Sequence, residues 1–225
     1  HIMSANFEAT PVDNGNVGTL ILQLIGDLDA AVEYLSYQLE PMIWKVIESS
    51  TRKWAVGMRW RGKYDWSESE ELWVCPPDWN PEGGNSDEDY QCWYEFNRGQ
   101  GDDCSTNPEL DYFDLTRLCS AGTGRLGWRW RYGAGAIGAT VAKWKRFAPP
   151  YIESIRQTGF SYEDDKGCFF LPVRIEAKEL ARAIENDAIE DALTPLRAAL
   201  DRCREAKPAF DKLIGAAKKH FNPVA

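Results

Sequence analysis

Asp165, Glu176 and Lys178 are the residues whose types and spacing come nearest to a catalytic set in this chain. Two carboxylates offer hard oxygen ligands to a divalent cation, and a lysine beside them neutralises a phosphate or steadies an attacking water. The trio is therefore a candidate site for a metal-dependent nuclease or another phosphate-acting enzyme. Glu176, however, leads straight into the apolar-periodic run 177–184, and a glutamate at a helix start is favoured by the macrodipole whatever its chemistry. Gly133-Ala-Gly-Ala-Ile-Gly138 has the spacing of a dinucleotide-binding turn. The segment before it alternates Arg with Trp instead of being apolar on both faces, and no strand with an acidic end follows, so a packing turn is the better reading. His220 is the only histidine apart from His1, and His1-Ile2-Met3 reads as a cloning remnant. A Ser-His-Asp triad or a two-histidine metal site thus lacks its imidazoles. Cys75, Cys92, Cys104 and Cys119 show no two-residue spacing from which one turn would supply two zinc ligands, and the six cysteines are expected as reduced thiols. No metal and no cofactor is expected.

Charge carries a second signal, because its sum of -9 hides a polarised distribution. From Tyr64 to Leu115 there are fifteen acidic residues against Arg98 alone, which is 1 - 15 = -14. From Gly122 to Arg146 there are six bases and no acid. Trp66, Trp73 and Trp79 sit among the carboxylates and prolines of the acidic segment, followed by Asp87-Glu88-Asp89 in a Gly/Asn-rich stretch. Aromatic anchors supply interface affinity and carboxylates speed the approach of a basic partner. These six residues are the expected partner-binding set. Arg59, Arg61, Arg129 and Arg131 are the expected anion contacts, neutralised from within the chain or open to an external anion. The leading expectation is a protein that binds and neutralises a basic protein such as a toxin or nuclease, in the manner of immunity proteins, antitoxins and inhibitors. Nucleic acid enters as a partner only under the enzymatic alternative, and the oligomeric state is left open.

These residues must be held by elements that the pattern outlines. Leu24, Leu28, Ala31, Leu35, Leu39, Met42 and Val46 recur at intervals of three and four, which predicts a long helix with a kink or break at Pro41. Leu20, Ile21, Leu22 and Ile25 make its first turns apolar nearly all round, which argues for burial there. Period-two alternation predicts strands at 54–61 and 126–132, with shorter ones at 71–75 and 89–96. If the first two share a sheet, all four arginines lie on one surface. Residues 168–175 form a last strand, moved toward an edge by Pro172. A helix broken at Pro149-Pro150 precedes it, and short helices follow from Glu176, with Thr194-Pro195 and Pro208 marking starts.

The fold class expected is α+β, with the long N-terminal helix packed on a mixed or antiparallel sheet and a C-terminal helical segment after it. Residues 1–15 read as a flexible arm and 16–225 as one domain, with a possible helical subdomain at 176–225. At 44% hydrophobic and 27% charged residues the chain has material for a real core. It contains no apolar run near the roughly 18 residues that a membrane helix needs, so a cytoplasmic protein is expected.

Overall fold

A computed structural model describes residues 14–80, 90–99, 111, 113–122 and 124–222. It is an α+β fold built on a six-stranded antiparallel sheet in the order β1-β2-β3-β4-β6-β5. The strands are β1 (Arg61–Asp65), β2 (Glu71–Cys75), β3 (Cys92–Gly99), β4 (Arg125–Tyr132), β5 (Ser161–Glu163) and β6 (Cys168–Val173). Period two in these segments separates two faces. Leu72, Val74, Tyr94, Phe96, Leu126, Trp128, Trp130, Phe169 and Leu171 turn to one side and are almost wholly buried. That side packs on the C-terminal helix α11 (Thr194–Phe221), whose Phe210 stacks on Trp130 at 4.6 Å between centroids. The opposite side carries Lys63, Glu71, Trp73, Trp93, Glu95, Arg129 and Arg131, in keeping with the register Lys63↔Trp73↔Glu95↔Arg129 and Trp93↔Arg131.

The chain divides into two compact units, His1–Met42 and Ile43–Ala225. In the first, α1 (Asn14–Gln23) and α2 (Ile25–Tyr34) are followed by a π-helical turn at Leu35–Leu39, in which the Glu40 amide reaches back to the Leu35 carbonyl. α3 (Glu40–Met58) continues from there. The expected disturbance at Pro41 thus takes the form of a widened turn just ahead of a residue that has no amide to give. The burial expected for the first turns is not found: Leu20, Ile21, Leu22 and Ile25 are 55%, 47%, 72% and 58% exposed.

The strand expected at 54–61 is instead the end of α3. Its buried stripe is Ile43, Trp44, Ile47, Ser50, Thr51 and Ala55, a helical spacing that the polar Ser50 and Thr51 disguise in the sequence. Arg59 closes the helix with φ 57°, and the Trp60 amide donates to the Ala55 carbonyl at 2.8 Å, which is a Schellman closure. Pro172 also departs from expectation, because β6 lies between β4 and β5. β5 pairs only with Cys168, Phe169 and Phe170, so β6 is locally an edge where Pro172 lies.

The short helices α4 (Trp66–Ser69) and α5 (Asp114–Leu118) lie between β1 and β2 and between β3 and β4, and α6 (Ala134–Ile137), α7 (Val141–Phe147) and α8 (Pro149–Arg156) come between β4 and β5. After the sheet come α9 (Ala177–Glu185) and α10 (Ile189–Ala192), and then α11, which contains Pro208 instead of starting at it. The Tyr94 hydroxyl donates to the Cys203 carbonyl at 2.8 Å, one turn before that proline. Among the described residues no helix is long and apolar enough to cross a membrane.

Candidate functional site

The outer face of the sheet holds the most organised group of chemistry-bearing side chains. At its centre Arg129 and Glu163 form a buried ion pair, with guanidinium to carboxylate hydrogen bonds of 2.7 and 3.3 Å. The same guanidinium donates to the Arg98 carbonyl at 2.7 Å and lies 5.6 Å from the centroid of the Phe170 ring. Gly99 makes this closure possible, since a Cβ there would sit 2.3 Å from that ring. At one end of β3, Arg98 pairs with Asp114 at 2.8 Å and Glu70 at 3.1 Å. Asp114 also binds Arg117 at 2.7 Å; it opens α5 (Asp114–Leu118).

Beside this locked region the face opens into a pocket of about 100 Å³ lined by Glu71, Leu72, Trp73, Tyr90, Trp93, Glu95 and Arg131. Trp73 meets Tyr90 edge-on at 5.2 Å, and Tyr90 meets Trp93 edge-on at 6.4 Å, so a buried tyrosine sits between two half-buried tryptophans. Arg131 lies 5.7 Å from the Trp93 centroid while its guanidinium binds Glu95 at 2.9 Å. Asn97 donates to the other Glu95 oxygen at 2.9 Å. Lys63 pairs with Glu71, and that hydrogen bond raises the lysine above its ordinary pKa. Aromatic faces with carboxylates beside them attract cations, because ring quadrupole and negative charge act together. β2 and β3 fix the Trp73 and Trp93 rings more firmly than loops would.

Of the expected partner-binding residues that are described, Trp73 alone lines this pocket. Trp66 and Trp79 are 5% and 2% exposed, which corrects their place in an exposed patch. Trp66 packs edge-on against Phe96 at 5.5 Å, and the Trp79 indole donates to Asp211 at 2.7 Å while its ring meets Tyr94. Asp87, Glu88 and Asp89 lie outside the described residues. The signal for Trp93 and Glu95 was present as the alternation of 89–96, in which they take the parity opposite to the buried Cys92, Tyr94 and Phe96.

The four arginines do not form one cluster. Arg59 is an exposed helix cap, and Arg61 begins β1, three strands from β4. Arg129 and Arg131 do share a face, and each meets a carboxylate of this chain, Glu163 and Glu95.

Asp165 lies in the turn between β5 and β6. Glu176 precedes α9 and pairs with Arg174 at 3.1 Å, and Lys178 lies in the first turn of that helix. Glu176 lines a concavity of about 360 Å³ with Arg174, Glu179 and Arg182, whose lining includes neither Asp165 nor Lys178. Among the described residues no group of three or more His, Cys, Asp and Glu is placed to hold a metal ion. A third concavity, of about 600 Å³, is lined by Lys143, Arg146, Phe147, Tyr151, His220 and Phe221 among others. Its rings stack on one another, with Phe147 on His220 at 5.2 Å.

Gly138 closes α6 with φ 75°, and a Cβ there would meet the Asn222 side chain at 2.5 Å. The glycine-rich stretch therefore serves a tight cap packed against the chain end.

Cys75, Cys92, Cys119, Cys168 and Cys203 are free. Burial pushes Cys168 up to about 11 and raises Cys92 and Cys203 well above the usual thiol range. These thiols stay protonated at neutral pH and are poor nucleophiles. Comparison with protein-family models, curated proteins and solved structures gives no match for this chain.

Proposed function

We propose that the chain is a protein-binding module that takes a basic partner on the outer face of its sheet, as neutralising proteins of the immunity, antitoxin or inhibitor kind do. The observation that carries this reading is the seat of Arg131. A guanidinium of the chain itself rests near the Trp93 ring and on Glu95, and its side chain is 47% exposed. An arginine or lysine of a partner finds the same chemistry at Trp73 and Glu71, where it replaces the exposed Lys63 as the cation on that carboxylate. The net -14 of residues 64–115 adds long-range attraction, which raises the association rate and weakens with salt. The free cysteines fit a reducing compartment and hence the cytoplasm.

A fluorescein-labelled Lys/Arg-rich peptide titrated against the full chain tests this reading. Binding is expected to weaken as salt rises, and Trp73→Ala is expected to lower affinity at least about tenfold, mainly by faster dissociation. No binding at low salt, or equal binding by Trp73→Ala and wild type, overturns it.

A further inference from the structure

Val17, Ile21, Leu24, Leu28, Ala31 and Leu35 follow one another at intervals of four, three, four, three and four. This is the a/d spacing of a coiled-coil seam, carried by α1 and α2 on either side of a break at Leu24 and by Leu35 at the start of the π-helical turn. Leu20, Ile25 and Val32 widen the seam on its flanks. None of these side chains is buried: Val17, Leu20, Ile21, Leu24, Ile25, Leu28 and Val32 are between 39% and 58% exposed. Asp27, Asp29 and Glu33 lie off the seam. A soluble chain seldom leaves so long an apolar stripe uncovered. The stripe is also hard to sustain alone, because Gly18 and Gly26 each weaken a helix by about 1 kcal/mol and isolated helices of this length are marginal in water. A Cβ at either glycine would meet nothing within 4 Å, so close packing within the chain does not explain them.

We propose that residues 17–35 form a helical self-association element, and that the seam is covered by the same seam of a second copy of this chain. Three observations select a second copy. The heptad spacing gives a stripe that fits another helix with the same repeat, and an isologous pairing supplies that repeat in register. The nine apolar side chains offer on the order of 80 Å² each, or roughly 700 Å² per copy, close to the about 800 Å² per partner of a standard stable interface. Between residues 14 and 44 there is no lysine or arginine, and the charged residues Asp27, Asp29, Glu33 and Glu40 are all acidic. Helices that lie on anionic membranes carry basic residues on the polar face, so a lipid surface is disfavoured. This inference is independent of the outer-face reading.

Sedimentation equilibrium of the full chain over a wide concentration range tests it. The expected result for wild type is a mass of at least two chains of 25.5 kDa, returned to one chain by Leu24→Asp with Leu28→Asp. Asp29→Asn with Glu33→Gln, off the seam, is expected to leave the mass unchanged. The melting transition of the 43–225 unit serves as the folding control and is expected to persist in both variants. A one-chain mass for wild type at every concentration overturns the proposal, whether the arm then folds onto its own chain or floats with phosphatidylcholine vesicles. An oligomer that survives the double Asp variant overturns it as well, because the interface then lies elsewhere.

Discussion

Removing Glu163 leaves Arg129 charged in a place where water reaches little of it. The two side chains are 5% and 6% exposed and share hydrogen bonds of 2.7 and 3.3 Å. Breaking a buried pair from one side costs about 3–5 kcal/mol, mostly the desolvation of the charge left behind. Arg129 keeps its 2.7 Å bond to the Arg98 carbonyl and its place over Phe170, so the lower end, about 3 kcal/mol, is expected for Glu163→Ala. For a unit of this size 1 kcal/mol corresponds to roughly 2–4 °C, which gives a Tm fall of about 6–12 °C. The assay is urea and thermal unfolding followed by tryptophan fluorescence, with Glu163→Leu, Arg129→Met and the double variant Arg129→Met with Glu163→Leu completing a cycle. The double variant is expected to recover most of the loss, because apolar replacement of both partners removes the stranded charge. A loss below about 1 kcal/mol for Glu163→Ala, or a double variant as damaged as the single one, would refute the claim that this pair locks the outer face.

Two further outcomes follow from the burial pattern. Trp79→Ala is expected to destabilise the fold by about 3–5 kcal/mol, whereas the partly exposed Trp73→Ala costs less, about 1–2 kcal/mol, in the same urea titration; equal losses would contradict the division between core and pocket. Cys168, held near 11 in the folded chain, stays protonated where the unfolded chain ionises from an ordinary value of 9.0, so the unfolded state binds fewer protons as pH rises. Its contribution is present below about pH 9 and declines between pH 9 and 11 by on the order of 2–3 kcal/mol, and a stability profile for Cys168→Ala that falls as steeply as wild type would refute it.

The strands at 71–75, 92–99 and 125–132 were legible because an inward parity survives in each, held by Leu72 and Val74, by Tyr94 and Phe96, and by Leu126, Trp128 and Trp130. The segment 54–61 misled for a physical reason. Trp54, Val56, Met58 and Trp60 alternate, yet the helix that begins before Ile43 runs on through Ser50 and Thr51, small polar residues that can be buried because they sit on its inner stripe. Pro208 misled in the opposite sense, for the burial of Phe210, Leu213 and Ile214 outweighs one missing amide in α11. The exposed face of α1 and α2 could be read as apolar but not as uncovered. Periodicity reports that a stripe needs a partner, and says nothing about whether that partner lies in the same chain.

The tryptophans separate these two kinds of information. Trp66, Trp73 and Trp79 share one neighbourhood of carboxylates and prolines, and composition treats them alike. Parity distinguishes Trp73, which stands on β2 between the inward Leu72 and Val74 and so must face outward with Glu71. The same rule puts Trp93 and Glu95 on that side of β3 and Arg129 and Arg131 on that side of β4. Trp66 and Trp79 lie off the strands, in a single helical turn and a 3₁₀ turn, where parity has no meaning and tertiary packing decides. A binding face is thus readable from sequence only where a strand supplies the alternation. The buried lock beside it, Arg129 with Glu163, depends on a pairing across 34 residues that no local pattern contains.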